Sequence, residues 1–323
     1  SLIISPKWTI IFLLKIAMKF EPVKLTKIIE QNYSHLMPDF FEMQTEYLAS
    51  LNVIYNDLDA SLVAMVLTSE LYKNTVQENN TKEQISLKYF YQRDNYKLPA
   101  SSFKIKEIST ILNLPRETVR RKKEKLIKDK IIIFDKKNNL YCLNTDKIDS
   151  KIIEVQVYNI SKFLSTISIF FAQNKLFVNE ISQKQIEKDI NEKFLLYLTK
   201  FLDFQISYFA NLKTVMDIES VYISILCTMN TLSSKGYKNE KPLNIKNIFH
   251  RLHELNDRFG LSATSISEIT KIPRTTVIRK IANLQNIGII KKDKFNRYSP
   301  DDLTNAKKSK KLLHSMQYSL KLL

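Results

Sequence analysis

The chain has 323 residues, of which 44% are hydrophobic, a formal net charge of +17 and only three glycines. That length leaves room for two domains with real cores, and the hydrophobic fraction argues against a disordered chain. So few glycines argue against sheet-rich folds full of tight turns and against Gly-rich phosphate loops; neither GxGxxG nor GxxxxGK[ST] occurs.

The chain opens on an apolar run around Trp8, Phe12 and Leu14 that Lys15 interrupts. It is too short to span a bilayer and lacks a small-residue cleavage site. Met18 is a candidate start with an upstream extension before it; an ordinary packing helix and a membrane anchor are the other readings. Residues 21–56 read as helical with a break near Pro38, and Phe40, Phe41, Met43, Tyr47, Leu48, Leu51 and Ile54 form an apolar stripe. Asp57-Leu58-Asp59 then caps a buried helix. Residues 74–102 are mostly polar with a helix between, and read as a solvent-exposed insertion or as a contact to a partner or to DNA backbone.

Residues 104–139 organise the first half. Ile105, Ile108 and Ile111 recur at helical spacing, Asn113-Leu114-Pro115 breaks the pattern, and Val119 and Leu126 share one face of a second helix. The β-branched run from Ile131 to Phe134, a turn-like Asp135-Lys136-Lys137-Asn138-Asn139 and Leu140-Tyr141-Cys142-Leu143 follow. Helix, tight turn, helix, hairpin is the order of a winged helix-turn-helix. Residues 147–180 join the halves through an amphipathic helix carrying Phe163, Ile167 and Phe170. One long helix is predicted from about Ser182 to Leu212, with Ile186, Ile190, Phe194, Tyr197, Phe201, Phe204, Tyr208 and Leu212 along it. Its aromatic stripe reads as core or a helix seam, or as a wall of an effector pocket.

The pattern then recurs. Moved by 158 residues, the first motif becomes ISEITKIPRTTVIRKIANLQNIGIIKKDK, with identities at Ile108/Ile266, Pro115/Pro273, Arg116/Arg274, Thr118/Thr276, Val119/Val277, Arg121/Arg279, Leu126/Leu284 and Ile131/Ile289. YLASL from Tyr47 echoes YFANL from Tyr208, and Asp57-Leu58-Asp59 echoes Asp217-Ile218-Glu219. The expected fold class is therefore mainly α: an internal duplication of a helical preface plus a winged helix-turn-helix, with small β-hairpin wings. The expected boundaries are 21–146 for the first unit, 147–180 for the connection, 181–302 for the second unit and 303–323 for a C-terminal helix, with 1–20 apart.

Charge follows the same two segments. Residues 104–137 hold 12 basic and 5 acidic side chains and residues 271–297 hold 8 and 1, so each is net +7. Such concentration suits phosphate neutralisation better than a mixed solvated surface does. With Val119 and Leu126 inward, Arg116, Glu117, Arg120 and Arg121 are candidates to meet base edges: Arg bonds guanine bidentately and Glu accepts from cytosine N4. In the second segment the candidates are Arg274, Thr275 and Arg279. Thr118, Lys122, Lys125, Lys128, Lys136 and Lys137, with Thr276, Lys280, Lys291, Lys292, Lys294 and Arg297, are candidates for phosphate contact.

Arg116-Glu117-Thr118-Val119-Arg120-Arg121 resembles the R-E-T-V-x-R recognition helix of Crp/Fnr-type bacterial regulators, and related helices occur in MarR-like regulators. The resemblance spans about 40 residues per repeat and implies base reading by Arg116, Glu117 and Arg121. Nothing resembles the Gly-rich β-roll of that family, so its cyclic nucleotide is not carried over. The second segment lacks the Glu and has Ile278 in place of Arg120, which predicts different or fewer bases read. Lys123 stands where Ile281 fills a core position and is expected to snorkel; Lys130 stands where Gly288 supplies the helix C-cap and is expected to be mildly strained. Ser265 with Glu268 predicts a capping box.

These features predict sequence-specific binding of double-stranded DNA by a transcriptional regulator, its two winged helices acting as a pseudo-dimer in one chain. Two further readings are a tandem winged-helix plasmid or phage replication initiator and a winged-helix scaffold that binds protein. No paired carboxylates, catalytic triad or nucleotide loop points to an enzyme, and no cofactor is implied. His250 and His253 lack a third metal ligand, and Cys142 and Cys227 read as buried free thiols. The expected setting is the cytoplasm, on the nucleoid, without membrane. The basic apolar C-terminal segment from Lys307 to Leu320 either caps the second unit or pairs two chains into a homodimer.

Overall fold

The computed structural model describes residues 22–78, 85–92, 97–102, 104–234, 241–254 and 259–301. The readings of residues 1–20 and 303–323 lie outside these. The chain is mainly helical. Its elements are α1 (Pro22–Gln31), α2 (Tyr33–Tyr55), α3 (Leu58–Glu78), α4 (Leu87–Gln92), β1 (Lys97–Pro99), α5 (Ile105–Leu112), α6 (Arg116–Lys128), β2 (Ile132–Asp135) and β3 (Leu140–Leu143). Then come α7 (Ser150–Gln173), α8 (Gln183–Glu192), α9 (Phe194–Leu212), α10 (Ile218–Ser234), α11 (Ile245–Glu254), α12 (Ala263–Thr270), α13 (Arg274–Asn286), β4 (Ile290–Lys292) and β5 (Tyr298–Pro300). No helix among the described residues is long and apolar enough to cross a membrane.

Two breaks fall elsewhere than the sequence suggests. Pro38 lies inside α2 and the chain breaks earlier, at Asn32. The Asn32 backbone N–H and side-chain amide both donate to the Ile28 carbonyl, at 3.1 and 2.8 Å, which closes α1. Pro38 removes one intrahelical bond without ending the helix. The expected long helix over 182–212 is two helices, because the backbone leaves the helical region at Lys193 (φ −120°, ψ 34°). Lys193 is buried and its ammonium turns back to Asp189, whose other oxygen accepts from the Tyr197 hydroxyl at 2.7 Å.

The described residues pack as two compact units, and neither is contiguous in sequence. Unit I joins Ser50–Tyr158 to Lys184–Thr214. Unit II joins the described residues before Ser50 to Asn159–Gln183 and to those from Val215 onward. In unit I, α9 lies against α3 and α5, so the helix that leads into the second half of the sequence completes the core of the first. An amphipathic stripe says that a helix buries a face; it does not say against which partner. This is why the contiguous boundaries expected from the sequence differ from the packed units.

Unit I is built around Phe90, which meets Tyr72 and Phe194 edge-on at 5.7 and 5.0 Å, with Leu62, Leu71, Val119, Leu126 and Phe209 buried in the same unit. Its three strands form an antiparallel sheet in the order β1-β3-β2, with Ile133 opposite Cys142 and Leu98 opposite Tyr141. In unit II, Phe40 packs on Phe163 at 5.3 Å, and Lys162 bridges Asp39 and Glu42 at 3.4 and 2.5 Å. Tyr222, Ile223, Val277 and Ile281 are also buried there. Its β4 and β5 pair with each other, and among the described residues a bridge from Leu261 to Tyr298 stands beside them.

Candidate nucleic-acid interface

The basic segments take the order helix, turn, helix, hairpin, and the local chemistry of each step can be read twice. The first turn needs a left-handed residue: Asn113 (φ 51°) after α5 and Lys271 (φ 59°) after α12. In both turns a serine hydroxyl spans the corner, Ser109 Oγ donating to the Leu114 carbonyl at 2.6 Å and Ser267 Oγ to the Ile272 carbonyl at 2.7 Å. Pro115 and Pro273 then occupy the N-cap in extended geometry, so α6 and α13 start at Arg116 and Arg274. The cap of α12 is Ser262 rather than the expected Ser265: Ser262 Oγ accepts from the Ser265 N–H at 3.0 Å. The helix begins one turn earlier than the Ser265–Glu268 pair suggested, which places Ser265 inside its first turn.

The second helix of each segment buries one stripe. Val119 is 0% exposed and Leu126 is buried beside it in α6; Val277, Ile281 and Leu284 are buried in α13. Lys123 replaces the Ile281 type of core residue, lies half-buried, and holds its ammonium 4.8 Å from the centre of the Tyr141 ring. Both helices close on the same hydrogen bonds. Ile131 N–H reaches Leu126 O and Lys130 N–H reaches Ile127 O; Ile289 reaches Leu284 and Gly288 reaches Gln285. The left-handed residue is Lys130 (φ 55°) in one and Gly288 (φ 71°) in the other.

Lys122 and Lys280 are not presented as phosphate contacts. Asp57 caps α3, its Oδ1 accepting from the Ala60 N–H at 2.9 Å, and its Oδ2 takes Lys122 Nζ at 2.6 Å. Asp217 does the same for α10, accepting from the Ser220 N–H at 3.1 Å and from Lys280 Nζ at 2.6 Å, with Glu219 3.1 Å from the same ammonium. The Lys280 side chain is only 9% exposed. Burial pushes the Asp217 carboxyl up, but the bonds from Lys280 and Ser220 more than offset this and hold it below its ordinary value. Lys125 is also engaged, donating to the Tyr55 carbonyl at 3.1 Å and pairing with Asp129 at 2.5 Å. The sequence shows both the lysines and the aspartates in its repeat; it does not show that they are partners, because the carboxylates sit at the head of a different helix.

The exposed cations remain. Arg116, Arg121, Lys128, Lys136 and Lys137 face solvent in unit I, as do Arg274, Arg279, Lys292, Lys294 and Arg297 in unit II. Thr118, Thr276 and Lys291 are half-buried, and Thr275 is exposed. Arg120 and Glu117 are exposed but occupied with each other: Arg120 Nε and Nη2 donate to Glu117 at 3.0 and 2.8 Å, and Nη1 donates to Glu124 at 2.7 Å. The bond from Arg120 holds the Glu117 carboxyl below its ordinary value. At each hairpin turn an aspartate organises the loop. Asp135 accepts from the N–H groups of Lys137 and Asn138 at 3.0 and 3.1 Å, and Asp293 from those of Phe295 and Arg297 at 2.8 Å.

Among the described residues no group of three His, Cys, Asp or Glu is placed to hold a metal ion. Cys142 and Cys227 are buried free thiols, and burial pushes the Cys227 thiol up to about 12. No family model, curated protein or solved structure gives a significant match to this chain.

Proposed function

We propose that α5–β3 and α12–β5 are two winged helix-turn-helix units derived from an internal duplication, and that the chain binds double-stranded DNA sequence-specifically as a transcriptional regulator. The observation that carries this reading is the shared placement of arginines. Arg116 and Arg121 on α6, and Arg274 and Arg279 on α13, lie exposed on the helix that follows the tight turn, outside its buried stripe. A helix of 13 residues is about 20 Å long and fits the major groove of B-DNA. Arg116 and Arg121 are the base readers on α6, and Arg120 joins them only by exchanging its two carboxylates for a base. The hairpins carry Lys136 and Lys137, and Lys292, Lys294 and Arg297, toward the backbone on either side.

Selection from a random duplex pool at two salt concentrations tests the reading. A selected motif with a steep loss of affinity as salt rises supports it. Retention without a motif leaves an architectural role, and no retention at either salt overturns it. Replacing Arg116 and Arg121 together by alanine is expected to relax base preference in the same selection. An unchanged motif would remove these two residues as readers.

A further inference from the structure

The outward faces of α6 and α13 differ in one connected way. Glu117, Arg120 and Glu124 form an exposed ion-paired triad along α6. The residues at the same positions of α13 are Thr275, Ile278 and Ala282, all exposed, with Ile278 44% accessible. Three charged side chains have become three methyl-bearing ones, in line along successive turns of the helix. Among the described residues the strip stands outside the core of unit II: α13 buries Val277, Ile281 and Leu284 on another side. Arg274 and Arg279 flank it, and exposed Lys271, Lys292 and Lys294 belong to the same basic segment.

A narrow apolar strip between arginines, on a helix of net positive charge, suits a surface that is anionic at its edges and bears methyl groups at its floor. The major groove over A·T pairs is such a surface, since thymine alone among the DNA bases presents a C5-methyl group there. We propose that Thr275, Ile278 and Ala282 read thymine methyl groups, so that unit II selects an A·T-rich half-site while unit I, through Arg116 and Arg121, selects one containing G·C pairs. This rests on the DNA-binding reading above and names what its second helix recognises.

The test uses the full chain and two duplexes of ~30 base pairs, about three helical turns. One is an A·T duplex of mixed order; the other has the same sequence with deoxyuridine at every thymidine. The two differ in the C5-methyl groups and share charge and base pairing. Affinity, read by fluorescence anisotropy at low salt, is expected to fall roughly five-fold or more on loss of the methyl groups, within the range that one mismatched position costs. In Ile278→Ser, an exposed substitution whose folding circular dichroism checks, the difference between the two duplexes should shrink while binding driven by phosphate remains. Equal affinity of the unsubstituted chain for both duplexes overturns the methyl reading and leaves the DNA-binding reading standing. Absence of binding to either duplex, and to the random pool, overturns both.

Discussion

Lysines from the two basic segments divide by what their ammonium groups meet. Lys280 is nearly enclosed and neutralises Asp217 and Glu219, whereas Lys292 ends in solvent. Replacing Lys280 by alanine leaves two neighbouring carboxylates without their cation, and is expected to destabilise unit II by about 1–3 kcal/mol. The same change at Lys292 should leave thermal stability alone and reduce the salt slope of DNA binding by about one. A melting curve and a salt titration on each variant separate the two. The pH dependence has a definite sign. The Asp217 carboxyl ionises more readily folded than unfolded, so it adds stability above its ordinary value of 3.8 and loses it as pH falls through the lowered folded value. The stability gap between the unsubstituted chain and Lys280→Ala should therefore be full near neutrality and narrow below about pH 4. A gap that widens on acidification would contradict the pairing. Cys227, wholly buried with its thiol pushed up to about 12, should resist thiol reagents until the chain is unfolded.

At the level of elements, the C-terminal caps of α6 and α13 offer a matched comparison. Both place a residue at positive φ, and only Gly288 does so without a Cβ. Lys130→Gly is expected to stabilise unit I by about 0.5–1 kcal/mol, and Gly288→Ala to destabilise unit II by about 1 kcal/mol, both measured by urea unfolding. These caps were legible in the sequence because a Lys standing at the position of a Gly is a local fact. So were the inward Val119 and Leu126, whose spacing fixes a face, and the snorkelling of Lys123, which follows from a charged residue at a core position. The break at Lys193 was not legible, because the stripe from Ile186 to Leu212 keeps its spacing of three and four through the bend. The inward turn of Lys122 and Lys280 was hidden for a different reason. Either lysine fits a phosphate as well as a cap carboxylate until tertiary structure brings Asp57 or Asp217 to it. The candidate site was thus readable as a list of cations, while the sorting of those cations into structural and exposed groups needed the packed helices.

For the whole molecule, the non-contiguous units make a prediction that the linear boundaries do not. A fragment ending at Tyr158 contains α3, α5 and α6 but lacks α9, which covers α3 and α5 in unit I. It should melt without a sharp transition and bind a hydrophobic dye, and mixing it with residues 159–323 should restore a cooperative transition. A fragment that melts as sharply as the intact chain would show that α9 is dispensable.

The same exchange of helices has a consequence in time. Synthesis proceeds at roughly 5–20 residues per second, so between the emergence of Tyr158 and that of Leu212 a nascent chain waits roughly 3–10 s. During that interval the apolar face of α3 that α9 covers has left the ribosome without its cover. Unit I therefore completes its core only once Thr214 has emerged, well after its first and larger segment has been made.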